Sequence, residues 1–241
     1  MHRFFVDGVI SNNEFKIYGN DFNHIKKVLR ISENEKIEIV NNKKLYLGNI
    51  KIFDDYILVY NLVFLDENTE MNTKIHLLQC ILKGEKMDFV IQKSVELGVF
   101  DITLINSKRC IAKIDKKKES KKIERLNKIS YEASKQSKRM IVPEVKGPID
   151  IKEVINFTKD AVVLVAYEQD KDISLKEKIK NINKNSQSEI YILIGPEGGF
   201  DKEEIEYLTK NKVLSIGLGK RILRAETAGI CCLSILQYEF I

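Results

Sequence analysis

Two runs of this chain, Ala161-Val162-Val163-Leu164-Val165-Ala166 and Ile190-Tyr191-Ile192-Leu193-Ile194, are apolar at every position. A strand with one solvated face alternates apolar and polar residues. A run without alternation has to be covered on both faces, as strands of parallel sheets are. Residues 75–81, 102–105 and 213–216 read as further short strands. Between them the spacing turns helical: Met87, Val90, Ile91, Ser94 and Leu97 share one face of a helix over 86–97, closed by Gly98. A long helix is expected over 116–137, and Asp201 with Glu204 reads as a capping box. A last helix over 225–240 is apolar nearly all round, hence buried or docked on a second chain. Strand and helix in alternation mean an α/β domain.

The first seventy residues follow another pattern. Residues 3–6, 36–40, 45–52 and 56–60 are rich in β-branched and aromatic side chains, with Asn41-Asn42 and Asp54-Asp55 suited to tight turns. One short helix is expected from Asp21, as its cap, to Leu29. This is the pattern of a small β-barrel. The polar stretch 66–72 reads as a linker, so the expected domains are 1–70 and 71–241.

The chain has 241 residues and a net charge of +5. Residues 108–139 hold thirteen Lys or Arg against four acids. So concentrated a basic block favours a polyanion such as nucleic acid, although a solvated helix face would look the same. Cys80, Cys110, Cys231 and Cys232 make no metal spacing and no disulfide framework, and His2, His24 and His76 are scattered, so no metal is expected. No apolar run is long enough to cross a bilayer, and the N-terminus lacks the core of a signal peptide. The expected location is the cytoplasm, with no membrane partner.

The chemistry concentrates near the C-terminus. The strand 190–194 breaks into Gly195-Pro196-Glu197-Gly198-Gly199, and the strand 213–216 into Gly217-Leu218-Gly219, followed by Lys220-Arg221-Ile222-Leu223-Arg224. The first is no Walker A loop, because no Gly-Lys-Ser/Thr follows. The second lacks the third glycine of a dinucleotide fingerprint. Either could be only a turn. Two such bends at strand ends favour a ligand site, since ligands of open α/β sheets bind beyond the carboxyl ends of strands.

These residues carry a resemblance. Gly195-Pro196-Glu197-Gly198-Gly199-Phe200, with Leu218-Gly219-Lys220-Arg221-Ile222-Leu223-Arg224-Ala225-Glu226-Thr227-Ala228, resembles the signature of the small-subunit ribosomal RNA uridine-N3 methyltransferases, members of the trefoil-knotted SPOUT superfamily. Lys83-Gly84-Glu85-Lys86-Met87 with residues 92–99, His24 with Val28-Leu29-Arg30, and Gln136-Ser137-x-Arg139 with Pro143 are similar to further blocks of that family, so the likeness spans nearly the whole chain. Lys108 before Arg109 and Lys135 before Gln136 stand where the family usually has acids.

The resemblance implies a PUA-like RNA-binding barrel and a knotted α/β domain, although no knot follows from the residues themselves. It implies a homodimer that binds S-adenosylmethionine and methylates N3 of a specific uridine in 16S ribosomal RNA. The expected cofactor contacts are Leu164, Ala166, Ile194, Gly195, Pro196, Glu197, Gly198, Gly199, Leu218, Gly219, Ile222, Leu223 and Thr227. Glycines let the backbone approach the ligand, and the aliphatic side chains offer a slot for the purine. Arg224 and Arg139 are the expected catalytic cations, beside a uracil ring that must lose its N3 proton. Arg3, His24, Arg30, Arg109, Lys135, Gln136 and Arg139 are the expected RNA contacts. The residues alone leave open another ribosomal or transfer RNA base as target, or a non-catalytic RNA-binding protein of ribosome assembly.

Overall fold

The computed structural model describes all residues except 34, 159–160, 171–174, 181, 183–188 and 241. It divides into two units, the first Met1–Glu70 with Ser134–Ile141, the second Met71–Ala133 with Val142–Ile241. Residues 134–141, which the sequence reading assigned to the second domain, thus group with the first.

In the first unit the strands are β1 (Arg3–Phe5), β2 (Phe15–Ile17), β3 (Lys36–Asn41), β4 (Lys44–Ile52) and β5 (Ile57–Leu65), in the spatial order β1-β3-β4-β5-β2. All pairs are antiparallel except β1 with β3. The β3–β4 turn has positive φ at Asn42 and Lys43, as a two-residue hairpin requires. Phe4, Ile37, Ile39, Ile50, Ile57 and Val59 fill the concave side of this curled sheet. Gly48 marks a shift in the β4–β5 register, because a Cβ there would stand 2.7 Å from Val59. The helix α1 (Gly19–Asn23) starts two residues before the expected cap and passes into a π-helical stretch, His24–Leu29. Asp21 therefore lies inside the helix, with its carboxylate 3.7 Å from Lys135 Nζ.

Residues 134–141 are held in this unit by charge. Arg3 pairs with Glu38 at 2.8 Å and donates to the Lys138 carbonyl. Arg139, 3% exposed, donates from Nε and Nη2 to the Glu70 carboxylate at 3.0 and 2.6 Å. Met140 completes a small apolar cluster with Val40 and Leu45.

The second unit is the α/β domain. Its strands β6 (Lys74–Cys80), β7 (Asp101–Asn106), β8 (Glu144–Asp150), β9 (Val162–Ala166), β10 (Glu189–Ile194) and β11 (Leu214–Ile216) form one parallel sheet, ordered β11-β9-β10-β6-β7-β8. The helices are α2 (Glu85–Glu96), α3 (Glu119–Gln136), α4 (Val154–Phe157), α5 (Leu175–Lys180), α6 (Lys202–Lys210) and α7 (Ala225–Phe240). The apolar runs are explained by two cores. Leu164, Ile190, Ile192 and Ile194 belong to one with α2 and α7, and Val163, Val165, Tyr191 and Leu193 to the other with α6. The capping box opens α6, with Asp201 N–H donating to Glu204 Oε2 at 2.9 Å. Helix α7 buries Ala225, Ala228, Gly229, Cys232, Leu233, Leu236 and Phe240, and leaves Ile235 and Tyr238 exposed.

Candidate active site

Strands β11, β9 and β10 are neighbours, and the segments that follow them line one cavity of ≈ 440 Å³. Strand β9 supplies Ala166, Tyr167 and Glu168, β10 supplies Ile194 to Phe200, and the turn after β11 supplies Gly217 to Arg224. Ala225 and Ala228 of α7 and Lys86 of α2 complete the wall. Both glycine bends thus face a single space, and that space is open.

Two glycines are required by the backbone. Gly219 has φ +102, a conformation closed to L side chains, and nothing lies within 4 Å of where its Cβ would be. Gly199 has φ +68, and a Cβ there would stand 2.9 Å from Glu168 Oε1. The first bend is braced by Phe200, whose ring lies 3.0 Å from a Cβ built on Gly195. Main-chain polar groups are therefore bared between the aliphatic side chains of Ala166, Ile194, Leu218 and Leu223.

The charges are sorted. Lys86 Nζ lies 3.3 Å from Glu197 and 3.8 Å from Glu226. Burial pushes the Glu197 carboxyl up, but backbone N–H groups, that of Lys83 among them, and Lys86 outweigh it and hold the group below its ordinary range. Glu226 Oε2 is buried and has no hydrogen-bond partner among the described residues. Lys220, Arg221 and Arg224, also on the cavity wall, are exposed, and no acid among the described residues pairs with them. An apolar slot with a bare backbone, rimmed by uncompensated cations, suits a flat ligand on the inside and an anion at the mouth.

Of the expected cofactor contacts, Ala166, Ile194, Gly195, Pro196, Glu197, Gly198, Gly199, Leu218, Gly219, Ile222 and Leu223 line the cavity, and so does Arg224. Leu164 does not: it is fully buried in the core under the sheet. Thr227 is exposed on α7 outside the lining. Arg139 lies in the first unit, where its guanidinium pairs with Glu70 at 2.6 Å. Arg3 is likewise buried against Glu38. Lys135 Nζ lies 3.1 Å from His24 Nδ1, while Arg30 and Gln136 are exposed. Arg109 is exposed, pairs with Asp201 at 3.2 Å, and backs Gly198. Lys108 is paired with Glu203, so this lysine and Lys135 both stand close to acids in the fold. Sequence reasoning passed over Lys86, Tyr167 and Glu168 as wall residues. Lys86 had a signal, the Lys83–Met87 block, but not a location.

A family model described as an RNA methyltransferase domain matches residues 69–237, and one described as an RNA methyltransferase PUA domain matches residues 17–54. The ribosomal RNA small subunit methyltransferase E of Mesomycoplasma hyopneumoniae is 37% identical, over 97% of this chain and 98% of its own. A Legionella pneumophila chain solved in complex with S-adenosylmethionine superposes with TM-score 0.87 at 31% identity, covering 98% of this chain and 97% of that one. The ribosomal RNA small subunit methyltransferase E of Neisseria gonorrhoeae, bound to S-adenosylmethionine, gives TM-score 0.86 at 29% identity over 100% and 98% of the two chains. With its two glycine bends converging on one slot and its sequence matched from end to end, the chain belongs to the RNA methyltransferase family that includes the ribosomal RNA small subunit methyltransferases E.

Proposed function

We propose that this protein transfers a methyl group from S-adenosylmethionine to N3 of a uridine in the 16S ribosomal RNA of the small subunit. The observation that carries the reading is the convergence of both glycine bends on one apolar cavity with unpaired cations at its mouth. The cavity fits the cofactor: its size is ordinary for a small-molecule site, its walls are aliphatic, and bare backbone stands where an adenine edge and a ribose need hydrogen bonds. Ala166, Ile194, Leu218 and Leu223 would flank the purine, and Gly195 to Gly199 and Gly219 would offer main-chain contacts.

The chemistry supplied by bound S-adenosylmethionine is a methyl group already activated and attached to its leaving group. The chain has to position the uracil and stabilise charge. Uracil N3 has to lose its proton to take the methyl group, and a cation beside the ring would favour the anion so formed. Arg224, at the start of α7 and on the cavity wall, is the group proposed for this, with Lys220 and Arg221 holding phosphate. Lys86 of the cavity wall pairs with Glu197 of the first bend and with Glu226 of α7, and so braces that bend.

The reading extends to a trefoil knot built from the two bends, to a homodimer, and to action in the cytoplasm. Ile235 and Tyr238, left exposed on the otherwise apolar α7, support a second copy on that helix. No helix among the described residues is long and apolar enough to cross a membrane. Calorimetry with S-adenosylmethionine tests the site, and light scattering tests the dimer, which predicts twice 27.9 kDa. Mass spectrometry of digested 16S RNA from a deletion strain tests the target. Loss of 3-methyluridine is expected, and its persistence overturns the assignment.

A further inference from the structure

The outer face of the first unit's sheet carries a pattern that the cavity does not explain. Lys16, Leu58 and Lys51 are register partners across β2, β5 and β4, so they form one row on one face. Two residues along each strand, on the same face, stand Tyr18, Tyr56 and Phe53. Phe53 and Tyr56 are stacked, with centroids 4.6 Å apart and planes 11° apart, and Tyr18 continues the row at 5.7 Å from Tyr56. Tyr18 is 56% exposed. A row of three rings thus lies directly beside a row that begins and ends in lysine.

The cations are tied to the rings rather than to acids. Lys16 Nζ sits 4.8 Å from the Tyr56 centroid and Lys51 Nζ 5.5 Å from that of Phe53. Lys26, from the π-helical stretch, reaches the Phe53 carbonyl at 3.4 Å. None of the three lysines has an ion-pair partner among the described residues. The acids near this edge are Asp54 and Asp55 at the hairpin tip, Glu33, which accepts from the Ile52 N–H at 3.1 Å, and Glu14, which shares a groove with Lys16 and Leu58, and none of them pairs with the three lysines. Phe53 and Tyr56 are half-buried against each other, which leaves the exposed Tyr18 ring with a free face, and a row of lysines without ion pairs beside it suits a partner that is both planar and anionic.

We propose that this face binds single-stranded RNA, with an unpaired base stacked on Tyr18 and the adjoining phosphates held by Lys16, Lys26 and Lys51. A base offers a π-face to the ring row, and its backbone runs alongside, where the ammonium groups are. Duplex RNA buries its base faces and cannot use the rings. The proposal rests on the RNA-methyltransferase reading above and adds to it the place on the barrel, the strandedness of the RNA and the mode of contact.

The test is fluorescence anisotropy with a labelled, unstructured RNA decamer and with the duplex it forms with its complement, using the full chain. The single strand should bind more tightly than the duplex. Tyr18→Ala should weaken it on the order of tenfold, and Tyr18→Phe should leave it near the parent value. The double variant Lys16→Ala/Lys51→Ala should flatten the salt dependence by about 0.7 logarithmic units per lysine. Equal binding of duplex and single strand, an unchanged affinity for Tyr18→Ala, or an equal loss for Tyr18→Phe each overturns the proposal. Calorimetry with S-adenosylmethionine on the same proteins separates the two readings. Cofactor binding with no effect of Tyr18→Ala sinks only this surface, whereas a parent that binds no cofactor sinks the methyltransferase reading.

Discussion

At the scale of single residues, the bends depend on glycine for different reasons. Gly219 has room around it but a φ of +102, so Gly219→Ala strains the backbone without a clash. We expect it to raise the calorimetric Kd for S-adenosylmethionine roughly tenfold, with a strain cost of about 1–2 kcal/mol that lowers the melting temperature by about 2–8 °C. Arg224→Ala should leave that Kd within about twofold and lower kcat for methyl transfer roughly 10²-fold, the size of effect seen when one charge-stabilising donor is removed. The glycines were legible in the sequence because few other residues allow such turns after a buried strand. The ion pairs of Arg3 and Arg139 were not. Which carboxylate a guanidinium meets depends on where Glu38 and Glu70 arrive in the fold, and sequence spacing holds no trace of it.

Elements were legible to the degree that burial wrote a pattern into them. Strands β9 and β10 declared themselves because both of their faces are covered. Strand β8 did not, since it is an edge strand with Gly147-Pro148 inside it and three of its seven residues charged. Strand β2 is only three residues long, too short for any period to show. Leu164 lies two residues before Ala166, one of the cavity residues, and its side chain is wholly in the core. Leu164→Ala should therefore cost about 2–5 kcal/mol in urea unfolding, through the cavity left behind. The start of β7 offers a second test. His76 Nδ1 lies 2.8 Å from Asp101 Oδ1, and Lys146 donates to Oδ2 at 2.8 Å. Burial pushes the Asp101 carboxyl up, but these partners prevail and hold it below its ordinary value. A depressed carboxylate stabilises the fold fully above its unfolded pKa of about 3.9 and loses that contribution as pH falls through the lower folded value. Asp101→Asn should cost about 2 kcal/mol at pH 7, and the gap to the parent should close on titration toward pH 2.

On the scale of the whole molecule, the two-part organisation was readable from the change of pattern near residue 70, from short amphipathic strands to apolar runs and helices. What composition could not reveal is that the first part is assembled from two stretches of chain. Residues 1–70 expressed alone would leave Glu70 without Arg139, the Arg3 guanidinium without the Lys138 carbonyl, and Val40 and Leu45 without Met140. An uncompensated buried charge costs about 3–5 kcal/mol, much of what a small domain has in reserve. Such a fragment should show little chemical-shift dispersion in a proton NMR spectrum, and adding a peptide of residues 134–141 should increase it.

The same split has a consequence during synthesis. The amino-terminal sheet leaves the translating ribosome early but has to wait for Ser134–Ile141 before its last charges are neutralised. At about 5–20 residues per second that is a delay of several seconds. During it the carboxylates of Glu70 and Asp21 stand without Arg139 and Lys135, so the nascent sheet shows uncompensated negative charge before the part that carries the chemistry has been made.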